Sequence, residues 1–526
     1  MSGGLSADMF VTRILFLFVF LAYCDGYNVL VVFPVPGKSH SILGEGYVRY
    51  LLDAGHEVTY LTPILIKNPP SRLKQIDVSE NSKYLPADIF DVKRFMYKEL
   101  NMQDEVKYMA LFDNLLNNTL RMDVVQKFMK DRSVNFDVVV VEWLYTELGV
   151  GFSSVFNCPL IWSSSMDVHT TVLALIDDYL NPAFTRHHMS TEYSSSFLNR
   201  VKELWTISRT LLYQWWNLDE KERMFREIFG PAAKERGIKL PHFNDVRYNA
   251  SLMLGNSHIV VGDAIALPQN YWHIGGYHIK KTVEPLPKDL QKIMDAAKDG
   301  VIYFSMGSLL KGSKIPSAVR KQFLKKFSEL KQEVIWKYDE KIADLPKNVH
   351  VVTWAPQQSI LAHPNCVLFI SHGGLLSLLE TIKYGVPIIG IPFFADQYLN
   401  TNRIVSKGFG KRIDISENTP EELIVAVREV LGNSSYRTRV KELSYLFNAD
   451  SDPGQRLVQG VELVVRTNGA PHLRSVALRV PFYQKLYLDV LLLVIGIVFG
   501  LPLVIYYTSK HLLLDGTKSN LNKKRN

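Results

Sequence analysis

Short apolar runs alternate with segments of helical periodicity along most of the chain. Residues 28–33 form an apolar run, which is typical of a strand buried on both faces. The following residues place Leu43, Tyr47 and Leu51 on one helical face, and residues 57–61 form the next apolar run. A strand, a helix and a second strand in this order predict a β-α-β unit and therefore a parallel sheet.

The same alternation continues through two separate halves of the chain. In the first half, residues 136–141 and 159–162 are further predicted strands. The second half is predicted to contain strands at 300–304, 334–337, 349–352, 367–370 and 388–391, helices at 316–330 and 375–384, and a helix that opens with a capping box at 419–422. Residues 275–288 between the halves are rich in Gly, Pro and Lys, which is typical of a linker. The predicted fold is α/β, with two doubly wound domains at residues 27–274 and 289–465.

Both ends of the chain carry apolar segments of another kind. Arg13 precedes an apolar run at 14–24, which is typical of a secretory signal peptide, so residues 1–26 are predicted to be removed. A buried strand or helix is the alternative for this run. Residues 490–507 contain no charged side chain over 18 positions, which is long enough to cross the core of a bilayer. Residues 466–489 would then form a juxtamembrane segment.

The charge that follows the predicted span indicates its orientation. Residues 508–526 carry a surplus of four positive charges, half of the formal net charge of +8. Because positive flanks stay on the cytoplasmic side, we expect a single-pass type I protein with a cytoplasmic tail. Lys523 and Lys524 resemble the dilysine retrieval signal of endoplasmic reticulum membrane proteins; a basic stop-transfer flank is the alternative. The body is therefore expected in the lumen of the endoplasmic reticulum.

Other features of the composition agree with a lumenal body. Three sequons, at Asn117, Asn249 and Asn433, lie between the two terminal apolar segments and are candidate glycosylation sites. Only Cys158 and Cys366 remain after the predicted cleavage, one in each half, so a disulfide framework is not expected. No basic stripe with interleaved aromatic residues is present outside the tail, so no nucleic-acid partner is expected.

The absence of common cofactor motifs narrows the class of function. Neither half has G-x-G-x-x-G after its first strand, which argues against a membrane-anchored oxidoreductase that binds a dinucleotide. The chain also has no G-x-x-x-x-G-K-[ST] phosphate loop. No cluster of His, Cys and Asp has the spacing of metal ligands. We therefore expect neither a metal nor a cofactor, and any phosphate must be held in another way.

Residues 354–397 contain the residue types that a nucleotide diphosphate sugar requires. Trp354 offers a flat surface for a base, and Gln357 can reach the edge of that base. His372 and Gly374 lie between a predicted strand and a predicted helix, where free N–H groups and the helix dipole bind phosphate. Core packing is the alternative for Trp354.

Four further residues complete the candidate donor site. Glu380 lies eight residues after the His, just over two helical turns, and would accept hydrogen bonds from ribose hydroxyls. Asp396 and Gln397 begin another helix and would bind sugar hydroxyls; plain helix capping is the alternative. Ser308, after the first strand of this half, would lie near the phosphates. Ligands of open parallel sheets bind at the carboxyl ends of the strands, so these residues are expected to converge.

Residues 354–397 resemble the signature of the UDP-glycosyltransferase family, which has W-x-P-Q, then H-x-G, a Glu eight residues after the His, and D-Q at the end. Residues 251–258, 304–308 and 469–474 also resemble family segments, so the resemblance covers nearly the whole chain. It implies the GT-B arrangement, in which two Rossmann-like domains face each other across a cleft. The apolar ends and the dilysine tail resemble the membrane-bound animal branch of the family.

One position departs from the pattern that many relatives share. Relatives often have Asn four residues after the His, where this chain has Leu376. Because an apolar side chain cannot bond phosphate, Ser377 and the backbone N–H groups are the contacts expected there. The Leu-Leu-Ser sequence at residues 375–377 is most similar to that of insect members.

The resemblance also implies an inverting displacement with a catalytic pair. Family members place a general base His after the first strand, and His40 matches that position. An exposed loop His without a role is the alternative. Relatives supply an Asp that orients the base, and Glu142 stands at that position here, one methylene longer. Asp137 is the other carboxylate on this strand.

The acceptor is less well defined than the donor. Residues 197–230 are rich in aromatic side chains, which would line an apolar acceptor pocket, touch a membrane or pack in the core. The resemblance implies UDP-sugar as donor and a small lipophilic acceptor. Glucose is the expected sugar because the motif is insect-like; glucuronate is the alternative, and so is a catalytically silent lipophile-binding protein on the same fold. A homo-oligomer is compatible with the sequence.

Overall fold

The computed structural model describes residues 26–523 except 87–90, 98, 100–103, 180, 183–184, 186, 191–195, 309 and 311, with side chains described as far as Leu514. The predicted signal peptide, apart from Gly26, lies outside this range. So does Lys524 of the dilysine motif. The described chain divides into two compact units that meet in sequence between Arg474 and Ser475.

Thirteen strands in the described residues form two sheets. Their bounds are β1 Asn28–Val32, β2 Glu57–Thr62, β3 Leu73–Asp77, β4 Val138–Trp143, β5 Leu160–Ser164, β6 Leu252–Gly255, β7 Tyr271–His273, β8 Val301–Ser305, β9 Glu333–Lys337, β10 Val349–Val352, β11 Cys366–Ser371, β12 Ile388–Gly390 and β13 Gly410–Arg412. The first sheet has the order β3-β2-β1-β4-β5-β6-β7 and the second the order β10-β9-β8-β11-β12-β13, with parallel pairing throughout. The chain order reverses next to β1 and next to β8. The two doubly wound sheets predicted from sequence are thus confirmed, each with a switch point suited to a ligand.

Helices follow the strands in the order that a doubly wound fold requires. Their bounds are α1 Lys38–Asp53, α2 Val92–Met96, α3 Glu105–Leu120, α4 Asp123–Lys130, α5 Gly151–Phe156, α6 Thr170–Leu173, α7 Phe197–Trp216, α8 Leu218–Arg236, α9 Phe243–Val246, α10 Lys288–Ala296, α11 Ser317–Ser328, α12 Gln357–Ala362, α13 Leu375–Tyr384, α14 Gln397–Ser406, α15 Thr419–Gly432, α16 Ser434–Ala449, α17 Pro453–Arg466, α18 Phe482–Lys485, α19 Leu488–Ile495 and α20 Leu501–Lys523. Helix α13 has the bounds that the sequence predicted.

Both faces of the first sheet are buried. In β1, Leu30 and Val32 pack into one hydrophobic cluster, whereas Val29 and Val31 pack into another. A strand whose alternate residues enter two cores must be apolar throughout, which explains the uninterrupted run in the sequence. The strands of the second sheet divide between two clusters in the same way.

Helix α17 returns the chain to the first sheet. All of its residues except Arg466 lie within the predicted range of the second domain, 289–465, yet it packs against α1 and β6. A Cβ on Gly454 would lie 2.0 Å from the ring of Tyr50 in α1, so this helix crossing needs a residue without a side chain. The two sheets are therefore linked by this returning helix as well as by residues 275–288.

The second compact unit contains the predicted span. The chain is helical from Leu488 to Leu514, with a mean hydropathy of 2.8 over its most apolar 18 residues and a π-helical turn at Gly496–Gly500. This segment is long and apolar enough to cross a membrane. It includes the whole of the predicted range, 490–507.

The three sequon asparagines have different surroundings. Asn249 and Asn433 are exposed, and the side chain of Asn433 caps α16 by accepting from the N–H of Ser435 at 3.0 Å. Asn117 is half-buried within α3, where its Oδ1 accepts from Nε of Arg121 at 3.0 Å. Glycosylation at these positions stays a prediction, with the two exposed positions the better placed.

Candidate active site

His40 and Glu142 form a hydrogen-bonded pair at the edge where β1 and β4 end. His40 lies in the first turn of α1, and not in the preceding loop as the sequence suggested. Glu142 is the penultimate residue of β4. Nδ1 of His40 is 2.5 Å from Oε1 of Glu142. The carboxylate is fully buried, whereas the imidazole is 17% exposed. The fold therefore brings together two residues that lie far apart in sequence.

The other carboxylate oxygen of Glu142 and the other ring nitrogen of His40 have no hydrogen-bond partner among the described residues. Oε2 of Glu142 is buried without a hydrogen-bond partner among the described residues, and no described group bonds Nε2 of His40. Because an ionised carboxylate only accepts hydrogen bonds, the proton of a neutral His40 lies on Nδ1. The lone pair on Nε2 is then available to accept a proton.

A His-Gly-Gly turn joins β11 to α13. Gly373 has φ +79°, a left-handed conformation that favours glycine. A Cβ on Gly374 would lie 2.5 Å from Nε2 of His372, and a Cβ on Gly307 would lie 2.6 Å from Cε1. The imidazole therefore fills a space between two glycines. Burial, together with the charge of Lys337, lowers the pKa of His372 to about 4. His372 is thus neutral near pH 7 and offers a hydrogen bond, not a charge.

Helix α13 begins directly after this turn with unbonded N–H groups. Gly374 at its N-terminus provides no side-chain cap, and the first helical hydrogen bond runs from the N–H of Leu378 to the carbonyl of Gly374 at 3.0 Å. The N–H groups of Leu375, Leu376 and Ser377 therefore have no carbonyl partner within the helix. With the positive end of the helix dipole, they make this turn suited to a phosphate group.

The carboxylate of Glu380 accepts hydrogen bonds from two amides of α12. Nε2 of Gln357 lies 2.5 Å from Oε2, and Nε2 of Gln358 lies 2.9 Å from Oε1. Gln357 also donates to Oγ of Ser377 at 3.0 Å. Three of the residues predicted for the donor site, Gln357, Ser377 and Glu380, thus form one hydrogen-bonded network between α12 and the first two turns of α13.

His278 lies beside this network and was not predicted. It lies in residues 275–288, which composition indicated only as a linker. Its Nε2 is 3.5 Å from Oε1 of Glu380, and its side chain is fully buried. Both ring nitrogens lack a hydrogen-bond partner within the described chain. No periodic pattern surrounds His278 in the sequence, so only the fold reveals its place beside Glu380.

Trp354 and Ser308 lie in the loops after β10 and β8. Trp354 is 65% exposed, which excludes the core packing that was its alternative. An exposed indole three residues before Gln357 leaves an aromatic face available for stacking. Ser308 is also exposed, in the same loop as Gly307.

Asp396 lies at the N-terminus of α14 but does not cap it with its side chain. Its Oδ2 accepts from Nδ2 of Asn400 at 2.9 Å, and the same amide donates to the carbonyl of Gly373 at 3.1 Å. Asn400, which the sequence did not single out, therefore ties Asp396 to the His-Gly-Gly turn. Burial raises the pKa of the Asp396 carboxyl.

The side-chain oxygen of Gln397 is occupied by hydrogen bonds within the protein. Its Oε1 accepts from the N–H groups of Phe393 at 2.8 Å and Phe394 at 3.3 Å, so only its NH₂ group is left to donate to a ligand. The rings of Phe393 and Phe394 pack against Phe95 of α2, with centroids 5.9 and 5.7 Å apart. The loop before α14 thus contacts the half of the chain that carries His40.

Comparison with known proteins identifies the family. The family model for UDP-glucoronosyl and UDP-glucosyl transferase matches residues 28–525. The chain belongs to this family. UDP-glucosyltransferase 2 of Dactylopius coccus is 31% identical over 512 residues, which cover 96% of this chain and 97% of that protein. UDP-glucuronosyltransferase 3A1 of Bos taurus is 28% identical over 509 residues, which cover 91% and 92%. This protein is therefore a UDP-glycosyltransferase, an enzyme that transfers a sugar from a UDP-sugar.

Solved structures support the GT-B fold of this UDP-glycosyltransferase. A UDP-glucosyltransferase from Polygonum tinctorium superposes with a TM-score of 0.55 at 15% sequence identity, covering 84% of this chain and 99% of that one. At this identity the likeness bears on the fold alone. The predicted arrangement of two Rossmann-like domains is confirmed.

The half of this UDP-glycosyltransferase that carries His40 also contains a buried histidine group that was not predicted. Candidate ligand atoms of Glu105, His169 and His188 lie within 4.8 Å of one another. Nδ1 of His169 bonds the carbonyl of Asp167 at 2.8 Å, and the hydroxyl of Tyr145 lies 3.0 Å from Nε2 of His188. Burial lowers the pKa of His169 to about 4 and holds that of His188 well below its usual value.

The negative charge of the buried Glu105 carboxylate is balanced by neighbouring side chains. Oxygens of Glu105 accept from the hydroxyls of Thr171 at 2.7 Å and Thr210 at 2.9 Å, and Nε2 of His187 lies 3.0 Å away. Burial opposes ionisation of Glu105, but the charge and hydrogen bond of His187 lower its pKa to about 2. These hydrogen bonds stabilise the ionised carboxylate of Glu105 in its buried position. The three residues are widely spaced in sequence, so no motif indicated them.

Proposed function

We propose that this UDP-glycosyltransferase transfers glucose from UDP-glucose to a hydroxyl group of small lipophilic acceptors, with inversion at the anomeric carbon. The observation that carries the proposal is the 2.5 Å contact between Nδ1 of His40 and the buried carboxylate of Glu142. A general base must lie within hydrogen-bond reach of the acceptor proton. An imidazole that a carboxylate holds in one tautomer is a group of this kind.

In this proposal the donor lies along the carboxyl edge of the second sheet. The proposed contacts are Trp354 and Gln357 for the uracil, Glu380 for the ribose, Ser308, His372, Gly374 and Ser377 for the diphosphate, and Asp396 and Gln397 for the sugar. Glu380 already accepts from two glutamines, but the two oxygens of a carboxylate have about four acceptor sites, so ribose hydroxyls can still donate to it. His278 beside Glu380 is an additional candidate contact.

The transfer is a single displacement. Nε2 of His40 takes the proton of the acceptor hydroxyl while the acceptor oxygen forms a bond to C1 of the sugar. The bond from C1 to the β-phosphate oxygen breaks on the opposite face, and UDP leaves with the electron pair. The N-terminus of α13 stabilises the charge that develops on UDP. Glu142 fixes the tautomer of His40 and stabilises its protonated form. The scheme uses neither a metal nor a cofactor, since the UDP-sugar is a co-substrate.

Two observations support glucose and a membrane location. The Dactylopius coccus relative is named a glucosyltransferase and is more similar than the bovine glucuronosyltransferase, at 31% against 28% identity. The helix from Leu488 to Leu514 is apolar enough to span a bilayer and is followed by a basic tail. We therefore place the body in the lumen of the endoplasmic reticulum, where it would meet acceptors that partition into membranes.

A donor panel tests the proposal directly. The full chain in membranes would be given UDP-glucose or UDP-glucuronate with a set of phenols and alcohols, and products would be identified by mass spectrometry and proton NMR. The expected product is a β-glucoside, because inversion of an α-linked donor gives the β anomer. A glucuronide as the preferred product would contradict the choice of sugar, and an α-glucoside would contradict the displacement mechanism.

A further inference from the structure

The buried histidine group brings one carboxylate and two imidazoles together from three separate segments of the chain. Glu105 begins α3, His169 directly precedes α6, and His188 lies in the segment before α7. Each of the three residues is at most 3% exposed. One ligand atom from each of them lies within 4.8 Å of the other two. Two imidazoles and one carboxylate are a donor set that binds Zn²⁺ in proteins.

A backbone hydrogen bond fixes the tautomer of His169. Nδ1 of its ring lies 2.8 Å from the carbonyl oxygen of Asp167, and because a carbonyl only accepts, the proton of the neutral imidazole lies on Nδ1. Nε2 therefore carries a lone pair. This atom is buried and has no hydrogen-bond partner among the described residues. Histidines that bind a metal commonly donate one ring N–H to a backbone carbonyl in this way and bind the ion through the other nitrogen.

His188 lies next to Glu105 without forming a hydrogen bond to it. Its Nε2 is 4.0 Å from Oε1 of Glu105, which is too long for a hydrogen bond but suits two atoms that share a cation. The hydroxyl of Tyr145 lies 3.0 Å from the same nitrogen. This hydroxyl can donate to Sδ of Met166 at 3.4 Å instead, and the lone pair of Nε2 is then available to a metal.

The carboxylate of Glu105 has one acceptor position left for a cation. Its oxygens accept from the hydroxyls of Thr171 and Thr210 and from Nε2 of His187, which together use three of the about four acceptor positions of a carboxylate. Nδ1 of His187 accepts from the N–H of Met189 at 3.3 Å. When a cation arrives, His187 can therefore lose its charge and still donate from Nε2. A ligating carboxylate that is itself hydrogen-bonded is the usual arrangement around a bound metal.

The three side chains need to move only slightly to coordinate an ion. In a tetrahedral zinc site with bonds of 2.0–2.2 Å, the ligand atoms lie about 3.4 Å apart. The separations here are at most 4.8 Å, so they would shorten by no more than about 1.4 Å on binding. Small rotations of the three side chains are sufficient for this change.

We propose that Glu105, His169 and His188 bind one Zn²⁺ ion, with a water molecule as the fourth ligand. Imidazole ligands favour Zn²⁺ over Mg²⁺ and Ca²⁺, which take oxygen ligands. The sequence predicted no metal because its three ligands lie far apart in the chain and only the fold brings them together. The ion would link α3, the start of α6 and the segment before α7. The proposal is independent of the proposed sugar transfer, since none of the three ligands belongs to the catalytic pair or to the donor site.

Zinc titration of the full chain tests the site. The protein would be purified in detergent with an affinity tag that contains no histidine, stripped with a chelator and titrated with Zn²⁺ in a calorimeter. We expect one tight equivalent, together with a higher Tm, because the ion binds the folded chain better than the unfolded chain. His169→Gln and His188→Gln should each weaken this binding by about 100-fold or more, since even the loss of an outer hydrogen bond to a metal ligand costs 10- to 100-fold.

A matched control separates this site from surface histidines, of which zinc binds many weakly. The chain has 14 histidines, and Nε2 of His350 lies 2.7 Å from Oε2 of Glu333 in a more exposed pair. His350→Gln should bind zinc as tightly as the wild type. Zinc binding of the wild type no tighter than that of His169→Gln would overturn the proposal, and so would loss of the tight equivalent in His350→Gln.

A milder variant keeps the test valid if the loss of a buried imidazole prevents folding. Folding would be checked from the Tm of each variant without metal. Thr171→Val keeps the shape of the side chain and removes only the hydroxyl that donates to Glu105 at 2.7 Å. It should weaken zinc binding by about tenfold or more. An unchanged zinc affinity in Thr171→Val would contradict Glu105 as a ligand and overturn the proposal.

Discussion

At the scale of single residues, the surroundings of Glu142 support the proposed reaction centre. Its carboxylate is fully buried, one oxygen bonds His40, and the other has no partner among the described residues. Burying a polar atom without a partner costs stability. The arrangement is therefore poor as a purely structural contact, whereas it suits a group that must orient an imidazole and balance its charge during proton transfer.

Substitution of Glu142→Gln tests this role. The amide keeps the shape of the side chain but can no longer hold a protonated His40. We expect turnover to fall by roughly 10³- to 10⁴-fold, as when a carboxylate that orients a catalytic imidazole is replaced by its amide. The KM for the UDP-sugar should stay unchanged, because Glu142 does not contact the donor. Glu142→Asp should retain more activity than Glu142→Gln; equal turnover by wild type and Glu142→Gln would contradict the assignment.

A substitution at Gly374 tests whether the His-Gly-Gly turn binds phosphate. Its φ of −63° suits alanine, so Gly374→Ala brings no backbone strain, but the new Cβ would lie 2.5 Å from Nε2 of His372. Displacing that imidazole should weaken UDP binding by about tenfold or more, measured by calorimetry, which corresponds to ~1.4 kcal/mol. Gly432→Ala is the matched control, because nothing lies within 4 Å of its Cβ position. Equal UDP affinity for both variants would argue against phosphate at this turn.

Some residues of the site can be recognised from the sequence, and others only from the structure. His40 and Glu142 could be proposed because they stand where the resembling family places its base and its orienting carboxylate, at the carboxyl edge of a predicted parallel sheet. His278 and Asn400 could not be proposed, because their importance comes from tertiary contacts to Glu380 and to the His-Gly-Gly turn. No local pattern accompanies such contacts.

At the scale of elements, a buried ion pair joins α14 to the loop after β5. Nη1 of Arg403 lies 2.5 Å from Oδ2 of Asp167, and Nη2 lies 3.2 Å from Oδ2 of Asp263. Burial disfavours the charged guanidinium, but the two carboxylates raise the pKa of Arg403 above its usual value. Arg403→Met would leave Asp167 buried and uncompensated. We expect the free energy of unfolding, from urea denaturation, to fall by roughly 3–5 kcal/mol.

Two further variants serve as controls for that measurement. Adding Asp167→Asn to Arg403→Met removes the stranded charge and should recover part of the stability. Arg428→Met removes an exposed ion pair to Glu329 and should change the free energy of unfolding by less than about 1 kcal/mol. If Arg403→Met costs no more than Arg428→Met, the buried pair does not hold these elements together.

The elements themselves were predictable where the hydrophobic period was strong. Nine strands were located within one or two residues, whereas β3, β6, β7 and β13 were missed. β3, β7 and β13 lie at sheet edges, and β13 reads Gly-Lys-Arg, whereas β6 is an inner apolar strand of only four residues. The capping box expected at 419–422 does not form, since the hydroxyl of Thr419 bonds the carbonyl of Ser416 at 2.8 Å. The polar inward face of α7 depends on buried hydrogen bonds to Glu105 and His187, which periodicity cannot reveal.

At the scale of the whole molecule, buried imidazoles make stability depend on pH. Burial lowers the pKa of His258 to about 4, as it does for His169 and His372. An unfolded chain binds these protons near pH 6.5, and the folded chain only near pH 4. Stability should therefore fall as pH drops from 6.5 towards 4, by up to about 1.4 kcal/mol per pH unit for each imidazole.

His258→Asn isolates one of these contributions. The free energy of unfolding would be measured for wild type and variant at pH 7 and pH 5. The loss of stability between the two pH values should be smaller in the variant, because one protonation step has been removed. An equal or larger loss would contradict the lowered pKa of His258.

The whole account depends on His40 accepting the proton of an acceptor while the second sheet holds the donor. The most direct test is His40→Ala in the full chain, with glucoside formation and UDP binding measured on the same sample. Turnover should fall by roughly 10²- to 10⁴-fold, the usual contribution of a general base, with an unchanged dissociation constant for UDP. Turnover equal to that of the wild type would contradict the account, and so would a loss of UDP affinity large enough to explain the loss of activity.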